Sequence, residues 1–562
     1  MTDRLAGLIT APTTELSRIL TRLRALRTWR EELAVVAIIG AMSAAAFAAI
    51  VLRNGMFTYT LDAPYDHLTV ADQILHGNYG INAGEPDAAV SSIFYPFLLA
   101  PIVAFGAGMY APLIVTFPAT VAIGLLLCWI ADEAAIPFRQ LPFPGFVALS
   151  CAVILALNLI GLEFTGLEHS LHTALALGSL LGFVRFLRRR VVDWWWLACI
   201  VLQPLIRFEG VAFLGVEVCF LLAFRKFRPA AIVIGATVLL LGGYGLFLHT
   251  LGLPPIPNSV TGRSRIVADS LGQLITPPSL IAILIANFKG NLFKYGGVLI
   301  TMMVAGLLAW FAGAHDIRAL SRNEIVRGSV VIFVALTSLA QLIGGSLDSY
   351  SRYEIYVIAL DVAALVIVYR EPVERWIRRA DLMRCGFMAL LIVLTFSGYV
   401  RRNLVTPEAA ANVYEQQYQL HRLATEFYRG PIATDHLGWV TYRNPYYVLD
   451  LFGVGSESAR RLRAGALSPA WMDQLTRDHG IGLAMMYPNL DPQVPVSWQP
   501  IAELRLIDRA HTVAGPIVTF FAVTPHDRTR ILAALRLFGP TLPEGDVLTF
   551  LDAKATPELS SK

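Results

Sequence analysis

Residues 33–52 read LAVVAIIGAMSAAAFAAIVL, an apolar run without a single charged residue. An α-helix rises about 1.5 Å per residue, so a helix of this length crosses the roughly 30 Å hydrocarbon core of a membrane. Further apolar runs recur as far as Val400, and none of that length follows Arg401. The sequence therefore predicts a membrane domain followed by a soluble C-terminal region.

The composition of the whole chain agrees with a membrane protein. Of its 562 residues, 56% are hydrophobic and only 15% are charged, whereas soluble proteins carry about 25% charged residues. The net charge of +4 is small, and the basic residues lie between apolar runs, which disfavours nucleic acid as a partner. The cysteines all lie in apolar runs, so no disulfide or cysteine metal site is predicted in the C-terminal region.

We expect a polytopic α-helical membrane protein in three parts. Residues 1–32 carry six arginines on a helix-compatible stretch, which predicts a cytoplasmic amphipathic helix leading into a retained first span. Residues 33–400 form the membrane domain, and residues 401–562 form a small C-terminal α/β domain. About 11 transmembrane helices are predicted, near 33–52, 110–131, 143–161, 167–187, 192–206, 210–224, 229–250, 295–313, 328–346, 353–369 and 384–400.

Two details of this organisation follow from the pattern. The runs 192–206 and 210–224 are short, which favours a broken or tilted pair. In the C-terminal domain, the sequence predicts a helix over Pro407–Tyr428 and β-rich runs at Pro431–Tyr442, Tyr446–Leu451, Ile481–Tyr487 and Ile517–Val523.

Clusters of arginine set the predicted orientation, because basic residues collect in cytoplasmic loops. Four such clusters lie near 185–190, 225–228, 318–327 and 370–384. They place the N-terminus in the cytoplasm and, outside it, residues 53–91, 162–166, 207–209, 251–294, 347–352 and the C-terminal domain. This scheme needs an odd number of crossings, which requires either that segment 92–106 dips in without crossing or that two neighbouring runs are miscounted.

The first predicted outer loop, residues 53–91, contains two carboxylates soon after the first span, Asp62 and Asp66. A carboxylate just above the bilayer is accessible to water-borne acceptors and close to lipid headgroups, so it suits a general base. The same residues also fit a simple turn-rich loop, since Asp, Asn, Gly and Pro are ordinary turn residues.

This loop resembles the first periplasmic loop of the GT-C superfamily of integral-membrane glycosyltransferases, particularly its bacterial mannosyl- and arabinosyltransferase-like members. The positions that match the family pattern are Asp62, Tyr65, Gly77, Tyr79, Asn82, Gly84, Glu85, Ser91 and Ser92. Members often have two adjacent acids. Here Leu61 precedes Asp62, and the second acid is Asp66, so the choice of base between these two stays open.

Shorter motifs follow in the family's order along the chain. They are Gly166-Leu167-Glu168, Arg207-Phe208-Glu209-Gly210, Pro257-Asn258-Ser259, Gly344-Gly345 with Arg352-Tyr353, and Asp435-x-x-Gly438 in the C-terminal domain. The arginine clusters independently place all of them at or near the same membrane face as residues 53–91. This agreement strengthens the resemblance.

The resemblance implies transfer of a hexosyl or pentosyl group, with inversion, from a polyprenyl-phosphate donor in a bacterial inner membrane. The acceptor would be a glycan, lipid or protein outside the cytoplasm. Some GT-C enzymes use a divalent metal and others do not, so the cofactor is left open. His169 and His172 lie three apart on one helical face, but the sequence offers no third ligand beside them, and no metal site is predicted.

The resemblance also suggests roles for particular residues. The catalytic candidates are Asp62, Asp66 and, in reserve, Glu168. The candidates for binding the donor phosphate are Arg207, Arg352 and Arg263. Candidates for the acceptor or for the structure of the loops are Tyr65, His67, Glu85 and Asn258.

A structural role remains an alternative for Arg207 and Arg352. Arginines at a membrane interface extend their charged ends towards water as a matter of routine. Arg207 and Glu209 are also able to pair, although residues two apart do not face one another on a helix.

A proton-coupled secondary transporter is the main alternative function. Glu217 and Asp361 lie inside predicted spans, where an ionisable side chain is costly and often functional. However, such transporters usually show two corresponding halves with interrupted helices, and the sequence shows no internal repeat. A sensor with a membrane anchor would leave the long loops 53–91 and 251–294 without a purpose.

The topology gives the first prediction. A cysteine introduced into the C-terminal domain should react with a membrane-impermeant thiol reagent in intact spheroplasts, because that domain is expected outside the cytoplasm. Labelling that occurs only after lysis would contradict the orientation.

Overall fold

The computed structural model describes residues 11–255, 277–313, 321–347, 350–465, 468–490, 493–507 and 514–551. Helices dominate as far as Leu404, and a mixed sheet lies beyond them. This confirms the predicted fold class of a polytopic helical membrane protein with a C-terminal α/β domain.

The helices of the membrane domain are described in chain order, first those before residue 255 and then those after residue 276. In the first half they are α1 (Ala11–Asn54), α2 (Ala63–Leu75), α3 (Tyr95–Ile102), α4 (Ala111–Glu133), α5 (Phe143–Ala156), α6 (Leu159–Glu163), α7 (His169–Arg189), α8 (Trp194–Ile206), α9 (Gly210–Ala223) and α10 (Phe227–Thr250). In the second half they are α11 (Pro277–Leu292), α12 (Tyr295–Ala312), α13 (Arg322–Gly344), α14 (Ile355–Val368), α15 (Arg370–Arg378), α16 (Leu382–Thr395) and α17 (Ser397–Leu404).

Among the described residues, six helices are long and apolar enough to cross a membrane, or seven if the bent pair α16 and α17 counts as one span. Shorter apolar helices accompany them: α5, α8, α9, α14 and residues Ile281–Leu292 of α11. The positions of the predicted spans agree with these helices, while the predicted count of about 11 is not confirmed.

Two local features differ from the prediction, and a third agrees with it. The predicted span 384–400 is not one straight helix, because α16 ends at Thr395 and α17 leaves at an angle of 86°. The predicted loop 251–294 contains helix α11, which sequence analysis missed. The predicted broken pair is present, since Arg207 between α8 and α9 is extended, with φ −147° and ψ 138°.

Segment 92–106 starts and ends near one end of the bundle. Its α-helix, α3, has eight residues and therefore rises only about 12 Å. The chain before and after it stays at one end of the bundle, because the Tyr59 hydroxyl donates to the Met109 carbonyl at 2.8 Å. The Tyr95 hydroxyl likewise reaches the Gly166 carbonyl at 2.9 Å. These contacts favour the alternative in which segment 92–106 dips in without crossing.

The C-terminal domain starts with a nearly continuous helical stretch from Thr406 to Tyr428, close to the predicted helix. Its six-stranded sheet has the order β2-β1-β3-β5-β4-β6. The strands are β1 (Ile432–Thr434), β2 (Val448–Asp450), β3 (Leu483–Met486), β4 (Gln499–Leu506), β5 (Ile517–Ala522) and β6 (Asp546–Phe550). Helices α18 (Thr406–Asn412), α19 (Gln419–Arg422), α20 (Glu457–Gly465), α21 (Ala470–Asp478) and α22 (Asp527–Phe538) accompany it.

Strand β1 lies at the centre of the parallel part of the sheet, because β2 and β3 flank it in parallel. The chain passes from β1 to one side and then crosses to the other, which makes β1 a topological switch point. In open α/β sheets, ligands bind in the crevice at the carboxyl ends of the strands at such a point. Strands β4 and β6 were not predicted, and their antiparallel pairing extends the sheet away from this crevice.

Loop 53–91 docks on the edge strand of this sheet. The Asn82 side chain exchanges two hydrogen bonds with the backbone of Val448, at 2.9 and 3.0 Å. Beside them the Tyr447 hydroxyl donates to Glu85 at 2.6 Å. The loop and the C-terminal domain therefore lie on the same side of the membrane domain, as the sequence predicted.

Candidate active site

Polar residues from distant parts of the sequence meet at one end of the helical bundle. Helices α7, α9 and α14 begin there, α8 ends there, and α2 lies beside them. Contacts join these segments: Glu168 before α7 binds Arg207 after α8 at 2.7 Å, and Asp62 before α2 contacts His436 at 2.6 Å. The predicted grouping at one face is therefore present for the motifs at Asp62, Glu168, Arg207 and Asp435, while Pro257-Asn258-Ser259 lies outside the described residues.

A cavity of about 230 Å³ lies where this end of the bundle meets the C-terminal domain. Its wall includes Asp62, Asp66, Arg352, Asp435, His436 and Asp450. Two predicted acids and one predicted arginine thus share a cavity with residues of the sheet domain.

Asp62 lies immediately before the first residue of α2, a start that Pro64 favours by its fixed φ angle. Its side chain makes no capping hydrogen bond to the helix. Instead, Oδ2 lies 2.6 Å from Nε2 of His436, and the Asp62 side chain is only 8% exposed. The helix start therefore presents the carboxylate to the cavity and to the C-terminal domain.

The imidazole of His436 responds to this contact. Burial lowers the pKa of His436, but the carboxylates of Asp62, Asp435 and Asp66 together outweigh burial. The pKa of His436 consequently lies above its ordinary value. Below that pKa, the contact with Asp62 is an ion pair.

Asp66 lies one turn further along α2 and is also held by the C-terminal domain. The backbone N–H of Gly438 donates to Asp66 Oδ1 at 2.7 Å. Asp62 and Asp66 thus have different partners, an imidazole and a peptide N–H.

The sheet supplies the far wall of the cavity from the carboxyl ends of its parallel strands. Asp435 follows β1 and accepts hydrogen bonds from the Tyr487 N–H at 3.0 and 3.1 Å. Asp450 ends β2 and accepts from Gly455 N–H at 2.7 Å and Phe452 N–H at 2.9 Å. Burial raises the pKa of Asp450, and these N–H donors oppose the increase.

Arg352 is a buried cation on the cavity wall, with 5% of its surface exposed. Its Nη2 donates to the Tyr353 hydroxyl at 3.0 Å, and the guanidinium lies 4.9 Å from the centre of the Tyr353 ring. Among the described residues, it makes no ion pair with a carboxylate, and its Nε has no hydrogen-bond partner. It is therefore available to bind an anion.

The backbone before Arg352 is unusual. Tyr350 and Ser351 have φ angles of +63° and +52°, a region that residues other than glycine seldom adopt. Strain of this kind persists only where the surrounding structure imposes it, and it is concentrated at functional sites.

Arg207 has a different environment, because it is paired with two carboxylates. It donates to Glu168 at 2.7 Å and makes two hydrogen bonds to Glu209, at 2.7 and 3.1 Å. The pairing with Glu209 is possible because the chain is extended at Arg207 rather than helical. Burial raises the pKa of Glu209, but Arg207 outweighs burial, and the pKa is lowered to about 2.

Glu168, the reserve catalytic candidate, belongs to this second cluster. Its other oxygen lies 3.7 Å from Nε2 of His67, and the side chain is 1% exposed. The residues that line the cavity do not include Glu168 or Arg207. Of the predicted phosphate-binding arginines, Arg352 therefore lines the cavity, and Arg207 belongs to a buried ion-pair cluster.

The remaining predicted residues fall into two groups. Tyr65, His67 and Glu85 contact neighbouring parts of the protein: Tyr65 stacks on Trp439 with ring centres 4.1 Å apart, His67 contacts Glu168 and Tyr95, and Glu85 binds Tyr447. Asn258 and Arg263 lie outside the described residues.

The histidines at the start of α7 lie against aromatic rings. His169 faces Tyr353 at 5.3 Å and His172 faces Tyr356 at 4.4 Å, measured between ring centres. Within the described residues, no group of three or more His, Cys, Asp or Glu side chains is arranged to hold a metal ion.

The two acids that favoured a transporter lie apart from the cavity. Glu217 accepts hydrogen bonds from Trp196 at 3.1 Å and Ser179 at 3.4 Å, and Asp361 accepts one from Ser338 at 2.9 Å. Each is completely buried and bonded to neighbouring helices. The cavity gives the transporter alternative no support.

Sequence analysis did not select His436 as a site residue, although the motif at Asp435 adjoins it. A detectable signal exists: polar residues follow β1 directly, at the position where a parallel strand of an α/β sheet ends. The sequence does not show how the C-terminal domain docks on the membrane domain. This docking brings His436 against Asp62, although the two residues are 374 positions apart in the chain.

One family model matches the chain: residues 410–521 match a domain of unknown function, DUF8728. No curated protein sequence matches the chain. Several solved structures are similar to it.

ArnT from Cupriavidus metallidurans bound to undecaprenyl phosphate is 12% identical, over 88% of this chain and 98% of that protein, with a TM-score of 0.44. The Archaeoglobus fulgidus oligosaccharyltransferase tethered to an acceptor peptide is 10% identical, over 93% and 76%, with a TM-score of 0.48. The arabinofuranosyltransferase AftD from Mycobacteria is 14% identical, over 87% and 40%, with a TM-score of 0.37.

Because the identities are 10–14% and the TM-scores are below 0.5, no residue role, donor or acceptor is carried over from them.

The two arginines should respond differently to truncation. Arg207→Ala leaves Glu168 and Glu209 buried without their cation, which typically costs about 3–5 kcal/mol, so the thermal transition of the purified protein should fall strongly. Arg352→Ala breaks no ion pair within the described residues and should shift the transition much less. Equal shifts in the two variants would contradict the distinction between these sites.

Proposed function

We propose that the protein transfers a sugar, with inversion, from a polyprenyl-phosphate donor to an acceptor outside the cytoplasm. The observation that carries this proposal is the cavity between the membrane domain and the C-terminal domain. It combines a loop carboxylate, Asp62, with a buried cation without a carboxylate partner among the described residues, Arg352. These are the two groups that such a reaction requires.

Asp62 serves as the general base. The acceptor oxygen forms a bond to the anomeric carbon of the sugar, and the bond from that carbon to the phosphate oxygen breaks. The bonding electron pair leaves with the polyprenyl phosphate, and the acceptor proton passes to the Asp62 carboxylate. Attack on the face opposite the leaving group inverts the anomeric centre. Asp66, one turn along α2, is the second candidate for this role.

Arg352 binds the phosphate of the donor. Negative charge grows on the phosphate oxygens as the bond to the sugar breaks, and a fixed guanidinium stabilises it most effectively in a partly dehydrated site. The planar guanidinium is able to bind two oxygens at once. The low exposure of Arg352 and its contact with Tyr353 favour such a fixed geometry.

The setting favours a lipid-linked donor. The cavity lies at the end of a bundle of apolar helices, where the headgroup of a membrane lipid is expected, and its other wall belongs to the C-terminal domain. A polyprenyl phosphate reaches the cavity from the membrane, and a glycan, lipid or protein acceptor reaches it from the aqueous side.

Arg207 has a supporting role in this proposal. Its ion pairs with Glu168 and Glu209 fix the ends of α7, α8 and α9 beside the cavity. The Arg207 guanidinium also lies 4.9 Å from the centre of the same Tyr353 ring that contacts Arg352. The ring thus joins the ion-pair cluster to the proposed phosphate-binding residue.

Removal of the base gives the next prediction. In transfer from a panel of radiolabelled polyprenyl-phosphate sugars, Asp62→Asn should lower turnover by about 10²–10⁴-fold, the usual contribution of a general base. Donor binding should persist, since the amide keeps the size of the side chain. Asp72→Asn is a matched control, because Asp72 lies on the same helix and is 34% exposed. Wild-type turnover in both Asp62→Asn and Asp66→Asn would contradict catalysis by the loop acids.

The donor site gives a separate prediction. Arg352→Lys keeps the charge but loses the planar fork, so turnover at saturating donor should fall at least about tenfold, equivalent to roughly 1.4 kcal/mol of transition-state stabilisation. Arg443→Lys, at an exposed arginine of the C-terminal domain, serves as the control. Unchanged turnover in Arg352→Lys would mean that the donor phosphate binds elsewhere.

A further inference from the structure

Residues 436–441 of the C-terminal domain, called here the docking segment, lie along the first turns of α2. Trp439 stacks on Tyr65 with an angle of 21° between the rings. The hydroxyls of Thr441 and Thr69 are 3.0 Å apart and buried. The segment is thus fixed to α2 at several points.

Gly438 allows an unusually close approach within this segment. Its φ angle is +88°, and an added Cβ would lie 2.6 Å from the Cβ of Asp62. Its N–H binds Asp66. The backbone of the C-terminal domain therefore touches both candidate acids at the place where the cavity begins.

His436 completes this arrangement from the wall of the cavity. Its Nε2 faces Asp62 at 2.6 Å, and its side chain remains 15% exposed. The peptide N–H of His436 donates to Thr434 Oγ1 at 3.2 Å, and the Tyr487 ring lies 5.5 Å from the imidazole. The backbone of His436 is thus fixed just after β1, and its imidazole packs against the Tyr487 ring just after β3.

We propose that His436 is a positioning residue for Asp62, and that the docked C-terminal domain is thereby a structural part of the reaction centre. This inference rests on the proposed role of Asp62 as the base. Protonated His436 fixes one carboxylate oxygen of Asp62 by an ionic contact at 2.6 Å. Orientation of a catalytic group by a neighbouring side chain is a common source of rate enhancement.

The charges around His436 define how the pair depends on pH. The groups that face it are Asp62 from the loop, Asp66 from α2, Asp435 from its own strand end, Tyr487 after β3, and Arg352 with Tyr353 across the cavity. Since the pKa of His436 is raised in the folded state, the stabilisation by the pair is fully present below the ordinary pKa of histidine, in the range where Asp62 stays ionised. It is lost as the pH rises through the raised pKa.

The first test needs no enzymatic activity. The full chain in lipid nanodiscs, labelled with ¹³C at histidine, is titrated by NMR, and the His436 signal is assigned by its loss in His436→Gln. The pKa of His436 should fall in Asp62→Asn, because the carboxylate that raises it is gone. An unchanged pKa would overturn the proposed pair.

The second test is a double-mutant cycle in the transfer assay. His436→Ala should lower kcat by about tenfold or more while the donor KM changes less than about twofold. In the Asp62→Asn background, the same change should have less than about a twofold effect, because the two residues act as a unit. His436→Gln, whose amide retains a donor near the Nε2 position, should recover part of the activity. His479→Gln, in the same domain, is the control and should leave turnover unchanged.

The two tests separate failure of the pair from failure of the proposed function. Additive losses in the cycle, or full activity in His436→Ala, overturn the positioning role while sugar transfer stands. If the NMR titration shows the coupling but the wild-type protein transfers none of the sugars in the panel, the pair stands as a docking contact. In that case the proposed function fails, and the catalytic role of His436 fails with it.

Discussion

The contact between the docking segment and the start of α2 is the interaction on which the rest of the site depends. Through His436 and Gly438, the C-terminal domain reaches Asp62 and Asp66, and the stacked Tyr65 and Trp439 fix the distance between the two parts. Without this contact, the cavity would lose one wall. A carboxylate at the start of a loop helix, ordinary by itself, becomes part of an enclosed polar site because a second domain closes over it.

Polar residues at this end of the bundle lie where apolar helices begin, end or break. Arg207 stands in the extended link between α8 and α9, and Arg352 follows a turn with two positive φ angles. Such positions expose backbone groups that a continuous helix would satisfy internally, and they allow side chains to converge. The two arginines nevertheless differ in their contacts. Two carboxylates bind Arg207, whereas Arg352 faces the cavity.

Much of the fold follows from the sequence by simple physics. A run of about 20 apolar residues is predictable as a span, and arginine clusters predict which loops lie together. The chain confirms this grouping, since residues 53–91, 168, 207, 352 and the C-terminal domain meet at one end. The bend at Phe396 was not predictable from hydropathy, because it does not change the balance of apolar and polar residues. Helix α11 was missed because its apolar part, Ile281–Leu292, is shorter than a membrane span.

The candidate site was predictable only in part. Asp62 and Arg352 were selected from the sequence, since a loop acid and an interfacial arginine have recognisable settings. The ion pair between Arg207 and Glu168 depends on the packing of α7 against α8. The contact of His436 with Asp62 depends on how the C-terminal domain docks on the membrane domain. Contacts of this kind are set by tertiary structure and leave no local pattern in the sequence.

The central claim is that a donor phosphate and the sugar it carries lie in the cavity between Arg352 and Asp62. A structure of the full chain with a non-hydrolysable polyprenyl-phosphate sugar tests this most directly. The account predicts phosphate oxygens within hydrogen-bond distance of the Arg352 guanidinium, with the anomeric carbon on the side of Asp62. A lipid phosphate bound at another end of the bundle, or against the Arg207 cluster with the cavity empty, would contradict it.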